Sequence, residues 1–325
     1  MKNNPSKRVR LDNSAVLPYC DDFLLHLQTN NLSPETVYNY ERDLTSFSRF
    51  LKEDIDTPFK SITKIVLDRY KAYLTSYDRK TSQGELSEKR LSSFSINRML
   101  SSLRRYLKYL IDIDFNVPVP PEAIKLLKTP RKHARVAEFD QLVKLIESPM
   151  KFETSKIIAT RNHAMLETLF STGMRISELL SLNRNQIDNT GRIFIRGKGK
   201  KERFVYLTNR AQKYIKEYLV MRTDENPALF IPYRGRNVNT LKARISTNYL
   251  QMKVKRYREL LGINIPTSAH SLRHGFATYS AEQGANPAAL QILLGHESLQ
   301  TTTRYVHASD RYAEKTHKQF HPLRE

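Results

Sequence analysis

The sequence predicts a mainly α-helical protein of two domains. The N-terminal domain has four helices; the C-terminal one is mostly helical with a small antiparallel β-sheet. Three observations carry this. A chain of 325 residues exceeds what one compact core usually holds. Apolar residues recur at helical spacing along most of it. One short stretch, Ile193 to Leu207, changes to strict alternation on both sides of a glycine-bounded turn.

In the first half, Val16, Cys20, Phe23, Leu24 and Leu27 share one helical face. Ser33 as N-cap, Pro34 at the first helical position and Glu35 start a second helix. Its buried stripe is Val37, Tyr40, Leu44, Phe47 and Leu51. Thr63 caps a third helix with Val66, Tyr70, Tyr73 and Leu74 inward. Residues 77–89 read as a polar loop, and Ser95 opens a fourth helix with Ile96, Met99, Leu103, Leu107 and Leu110 inward. The segment after Asn116 carries Pro118, Pro120, Pro121, Pro130 and a basic run, the composition of a stiff linker. The expected boundaries are a basic tail over 1–14, a first domain over 15–115, a linker over 116–135, a second domain over 136–308 and a terminal segment over 309–325.

In the second half, Phe139, Leu142 and Ile146 mark a helix, and a long apolar helix runs from Thr160 to a C-cap at Gly173. Ile193 and Ile195 alternate with Arg192, Phe194 and Arg196 before the Gly197-Lys198-Gly199 turn, and Phe204 to Leu207 form the returning strand. Tyr214, Ile215, Tyr218 and Leu219 point inward from a following helix. The stretch 234–258 reads as basic and irregular. A helix through Leu290, Leu293 and Leu294 ends at Gly295, and Ser298 starts another.

Composition narrows the function. There are 54 Lys+Arg against 33 Asp+Glu, a formal net charge of +21. A polyanionic partner offsets the self-repulsion of such a chain, so nucleic acid is favoured over an anionic membrane or charge kept for solubility alone. Arg98, Ser101, Arg105 and Lys108 fall on one stripe of the fourth helix, either a solvated face or a track for a phosphate backbone. Arg131 and Lys132 extend the basic character into the linker. A single cysteine, Cys20, excludes a disulfide within the chain and suits a reducing compartment. No apolar run reaches membrane-spanning length, and the basic start has no apolar segment behind it. A cytoplasmic protein is expected.

The residues suited to chemistry are Arg175, Lys198, His270, Arg273, His296 and Tyr305. All are suited to a phosphodiester. No carboxylate cluster with metal spacing and no phosphate-binding glycine loop ending in Lys-Ser/Thr accompanies them, which disfavours a metal nuclease and an NTPase. Guanidinium forks can neutralise non-bridging oxygens without a metal ion. Three residues apart, His270 and Arg273 share a helix face. A tyrosine hydroxyl is a weak nucleophile until surrounding cations lower the cost of phenolate. Each of these residues taken singly is also an ordinary surface, turn or capping residue.

Taken together they resemble the tyrosine recombinases, most closely the Xer type. The matching segments are Ser171–Leu179 around Arg175, Gly197–Arg203 around Lys198, His270–His274 and Leu293–Tyr305. Leu32–Leu44 resembles the family's N-terminal DNA-binding domain. The resemblance implies a SAM-like core-binding domain and a catalytic domain forming a C-shaped clamp on DNA. It implies that Arg175 and Arg273 hold the scissile phosphate, Tyr305 attacks it and Lys198 is the general acid. His270 would assist proton transfer at the tyrosine, His296 would hydrogen-bond the phosphate and Glu178 would support Arg175. No cofactor and no metal are implied. The partners implied are a double-stranded recombination site, a homo- or hetero-tetramer on two such sites, and a second recombinase or a DNA translocase as activator. The segment Tyr312–Arg324 would dock on a neighbouring subunit; ordinary fraying of a polar terminus is the other reading. Xer-like resolution of chromosome or plasmid dimers is the function expected, with a mobile-element integrase or a non-catalytic DNA-binding protein as alternatives. The chain departs from the pattern in the long 77–93 loop, in Tyr206 where the family usually has proline, and in its linker composition.

Overall fold

The computed structural model describes residues 16–76, 90–129, 136–197, 202–235, 238 and 240–296. The expectations on 1–14, 77–89, Arg131, Lys132, Lys198, Ser298, Tyr305 and 309–325 lie outside these. The chain divides into two compact units, Met1–Lys132 and His133–Glu325. Both are mainly helical, and a two-stranded antiparallel sheet lies in the second.

The first unit holds α1 (Cys20–Thr29), α2 (Pro34–Arg49), α3 (Lys64–Thr75) and α4 (Ser93–Asp112). Local chemistry sets their starts. Ser33 Oγ accepts from Thr36 N ahead of Pro34, and Thr63 Oγ1 accepts from Val66 N. Helix α4 begins earlier than the sequence suggests, because Ser92, not Ser95, is the N-cap; Ser92 Oγ accepts from Ser95 N. Phe23, Leu44, Phe47, Tyr70, Leu74, Leu103 and Leu107 form the shared core. Residues 116–129, part of the expected 116–135 linker, pack on this core. Val119 and Ile124 are buried in it, and the Asn97 side chain both donates to Leu127 O at 2.9 Å and accepts from Leu127 N at 2.8 Å. Arg104 also donates to Ile124 O, so side chains of α4 hold this segment at two points.

The second unit is built around α6 (Lys156–Thr172), with α5 (Phe139–Phe152), α8 (Asn209–Val220) and α10 (Ala269–Glu282) against it. Helix α6 is buried on nearly every side, polar residues included, so its hydroxyls turn back onto their own helix: Thr168 and Thr172 each donate to the carbonyl four residues earlier at 2.7 Å. Strands β1 (Arg192–Arg196) and β2 (Glu202–Tyr206) pair with Ile193 opposite Val205 and Ile195 opposite Arg203. Short α7 (Ile176–Ser181), α9 (Thr247–Leu260) and α11 (Pro287–Leu294) are the other α-helices among the described residues of this unit. Helix α9 occupies much of the stretch expected to be irregular. Its buried stripe, Leu250, Val254 and Tyr257, is outnumbered in sequence by Lys253, Lys255, Arg256 and Arg258.

Candidate active site

The site forms where α6, α10 and α11 end or begin beside β2 and α7. Gly173 ends α6 with φ at 61°, in the left-handed region glycine enters without strain. That turn delivers Arg175 directly to the start of α7, where it is the N-cap residue. Gly295 ends α11 in the same way, with φ at 62°. The amide of His296 then donates to Gln291 O, five residues back, so His296 is fixed by a closed helix terminus.

Three arginines meet that terminus. Arg203 Nε donates to Leu293 O at 2.9 Å, Arg273 Nη2 to Leu294 O at 2.6 Å, and Arg175 Nη2 to Gly295 O at 3.2 Å. These three successive carbonyls are the negative end of the helix dipole, where cations are favoured. Arg273 also donates through Nη1 to Gly173 O at 2.8 Å, joining the ends of α6 and α11. Its side chain is buried, whereas that of Arg175 is about one-third exposed.

One carboxylate organises the cations. Buried Glu178 accepts from Arg175 N at 2.7 Å and Arg175 Nη1 at 3.0 Å. It also receives the fork of Arg203, with Nη1 at 2.9 Å and Nη2 at 2.7 Å. Burial pushes its carboxyl pKa up, but the hydrogen bonds from Arg203 and from the Arg175 amide more than offset this and hold it below the usual value.

The histidines line the same place. His270 and His274, one turn apart on α10, stack edge to face with ring centres 4.4 Å apart. Partial burial, then the charges of Arg273 and Arg175, lower the His270 pKa. Partial burial first, then neighbouring cations, push His274 and His296 down to about 4. At neutral pH these rings are therefore neutral hydrogen-bonding groups, and the positive charge belongs to the arginines. The structure thus brings Arg175, Glu178, His270, Arg273 and His296 together. Lys198 and Tyr305 lie outside the described residues.

The sequence alone gives Arg203 no role. The signal was present: alternation along β2 turns Arg203 and Val205 inward, while Phe204 and Tyr206 face out. A charged residue on the core side of a strand needs a buried partner, and Glu178 supplies it.

On the first unit, Arg98, Ser101, Arg105 and Lys108 share an exposed face of α4. Two of them are engaged: Arg98 Nη1 meets buried Asp43 Oδ2 at 2.5 Å, and Arg105 Nη1 donates to Tyr40 OH at 3.3 Å. Among the described residues there is no group of three or more His, Cys, Asp or Glu arranged to hold a metal ion. Among them, too, no helix is long and apolar enough to cross a membrane.

Comparison with known proteins places this geometry. The pattern of the phage integrase family matches residues 135–311, and that of the phage integrase N-terminal SAM-like domain matches residues 20–113. The chain belongs to the phage integrase family. It is thus a tyrosine recombinase by descent, and its relatives bear that name. It is 36% identical to the tyrosine recombinase XerC of Pelobacter propionicus over 88% of this chain and 89% of that protein. It is 31% identical to XerC of Chlamydia caviae over 93% and 96%. Among solved structures, XerH bound to its difH substrate is similar with a TM-score of 0.66 at 24% identity, covering 90% of this chain and 82% of that one. The Tn1549 transposon integrase with a circular intermediate DNA gives 0.69 at 19%, covering 92% and 98%. Both likenesses concern the fold.

Proposed function

We infer that this phage integrase family member is a site-specific DNA recombinase of the Xer type, acting on two copies of a double-stranded site. The observation that supports it most is the convergence of Arg175, Arg273, His270 and His296 around one helix terminus, in a chain whose curated relatives are XerC recombinases. In this reading Arg175 and Arg273 bind the non-bridging oxygens of the scissile phosphate and His296 donates a hydrogen bond to it. The phenolic oxygen of Tyr305 attacks phosphorus, and its proton passes to His270. The P–O bond to the 5′-oxygen breaks, and Lys198 protonates that oxygen as it leaves. The product is a 3′-phosphotyrosine that keeps the bond's energy, so religation needs neither ATP nor a metal ion. Strand exchange through a Holliday junction then requires a tetramer, with each chain closing as a clamp around DNA and its terminal segment passing to a neighbour. A cytoplasmic location, where the chromosome lies, follows from this role.

Of the alternatives, the integrase of a mobile element shares the chemistry, and the target site distinguishes it. The test uses a suicide duplex containing the host's recombination site. Wild type is expected to form a covalent protein–DNA complex that survives denaturant and EDTA, and Tyr305→Phe none. A wild type that binds the site without cleaving it, or a Tyr305→Phe variant that still becomes linked, overturns the reading.

A further inference from the structure

The hydrogen bonds around Arg203 close on themselves. Leu293 O accepts from Arg203, Arg203 forks onto Glu178, Glu178 accepts from Arg175, and Arg175 donates to Gly295 O, two residues from the start. The circuit joins β2, α7 and the end of α11, segments far apart in sequence. Its members cannot move singly, because each is held from two sides. Among its side chains Arg203 alone has no assigned part in the site, and it is buried, at 8% exposure.

We propose that Arg203 is a positioning residue of the cleavage centre: through Glu178 and Leu293 O it sets the placement of Arg175 and His296 on the phosphate. Its Nε, Nη1 and Nη2 are all engaged within the protein, on Leu293 O and on both carboxylate oxygens of Glu178, so it acts through these groups. Glu178 has two arginines to share. Without Arg203 its carboxylate is left half-satisfied beside Arg175 and pulls that guanidinium inward, away from a ligand. Lysine keeps the charge but cannot make the planar fork and the third bond together. Gly295 sits against the same side chain: a Cβ there would lie 3.0 Å from Arg203 Nη1, so the arginine and the helix terminus are fitted to one another.

The inference rests on the cleavage function above. Its test uses full-length wild type, Arg203→Lys, Arg203→Met and the double variant Arg203→Met/Glu178→Gln. Site affinity is measured by mobility shift, and single-turnover cleavage of the suicide duplex at saturating protein. Circular dichroism confirms folding at the assay temperature. Arg203→Lys and Arg203→Met are expected to bind within about 3-fold of wild type and to cleave roughly 10- to 100-fold more slowly, the usual cost of losing a group that orients a site. The double variant, relieved of its stranded charge, recovers about 10-fold over Arg203→Met, which a purely structural loss does not do. If Arg203→Met does not fold, Arg203→Lys and the double variant decide. Folded single variants cleaving within about 3-fold of wild type overturn the assignment, and so does a double variant no faster than Arg203→Met. Failure of the wild type to cleave sinks the recombinase reading instead.

Discussion

Arg273 and Leu294 are joined by a 2.6 Å hydrogen bond from a buried guanidinium to the last helical carbonyl of α11. The same side chain holds Gly173 O at the end of α6. An arginine expected to bind phosphate is therefore also a tie between two helix ends. Replacing it by methionine leaves two carbonyls unsatisfied, and should cost about 3 kcal/mol of stability in urea denaturation. Arg175→Met should cost less, about 1 kcal/mol, because it is partly exposed and Glu178 keeps the Arg203 fork. Both variants should lose cleavage; equal stability losses would contradict the division of labour.

Gly295→Ala is expected to lower stability by about 1–2 kcal/mol, since alanine is strained in the left-handed region. The added carbon also presses on Arg203. Cleavage should fall with it, measured at a temperature where the variant is folded.

Acid should act on folding and DNA binding in opposite directions. His274 and His296 are held down to about 4 in the folded protein, against an ordinary value of 6.5, and His270 is also lowered. Between about 6.5 and 4 the unfolded chain binds more protons than the folded one, so stability drops as pH falls through that window. A phosphate beside His296 raises its pKa, so DNA binding takes up protons over the same range. Tm should decline from pH 7 to pH 5 while site affinity at constant ionic strength rises. His296→Gln should flatten the affinity curve.

On α4, two basic residues should behave differently. Arg98 neutralises Asp43, which is buried, also accepts from Ser102 Oγ at 2.8 Å, and has its pKa raised by burial above all. Arg98→Ala should destabilise the protein by about 1–2 kcal/mol through the stranded carboxylate. Lys108→Ala should leave stability unchanged and reduce the slope of log affinity against log salt by about one. An unchanged slope removes Lys108 from the DNA contacts.

Much of this was legible in the sequence because it is local. Ser33, Thr63, Gly173 and Gly295 each announce a helix end within a few residues, and Ile193 to Val205 announce a hairpin by their period. Ser92 and Ser95 are both serines, and only the extended backbone at 92 marks it as the cap. The α9 helix was hidden by its density of charge, and the packing of 116–129 by prolines that break helical spacing without preventing burial. The role of Arg203 depends on a carboxylate 25 residues upstream and a carbonyl 90 residues downstream. The alternation of β2 says that Arg203 needs a buried partner, but nothing in its own neighbourhood says which.

The acceptors gathered at the end of α11 belong to the main chain. No side-chain exchange at Leu293, Leu294 or Gly295 deletes them. A saturation mutagenesis screen that pairs intolerant positions would therefore link Arg203 to Glu178 but miss its contact with Leu293 O. Amide-to-ester replacement, which weakens one chosen carbonyl as an acceptor and spares every side chain, is the perturbation that makes these contacts visible.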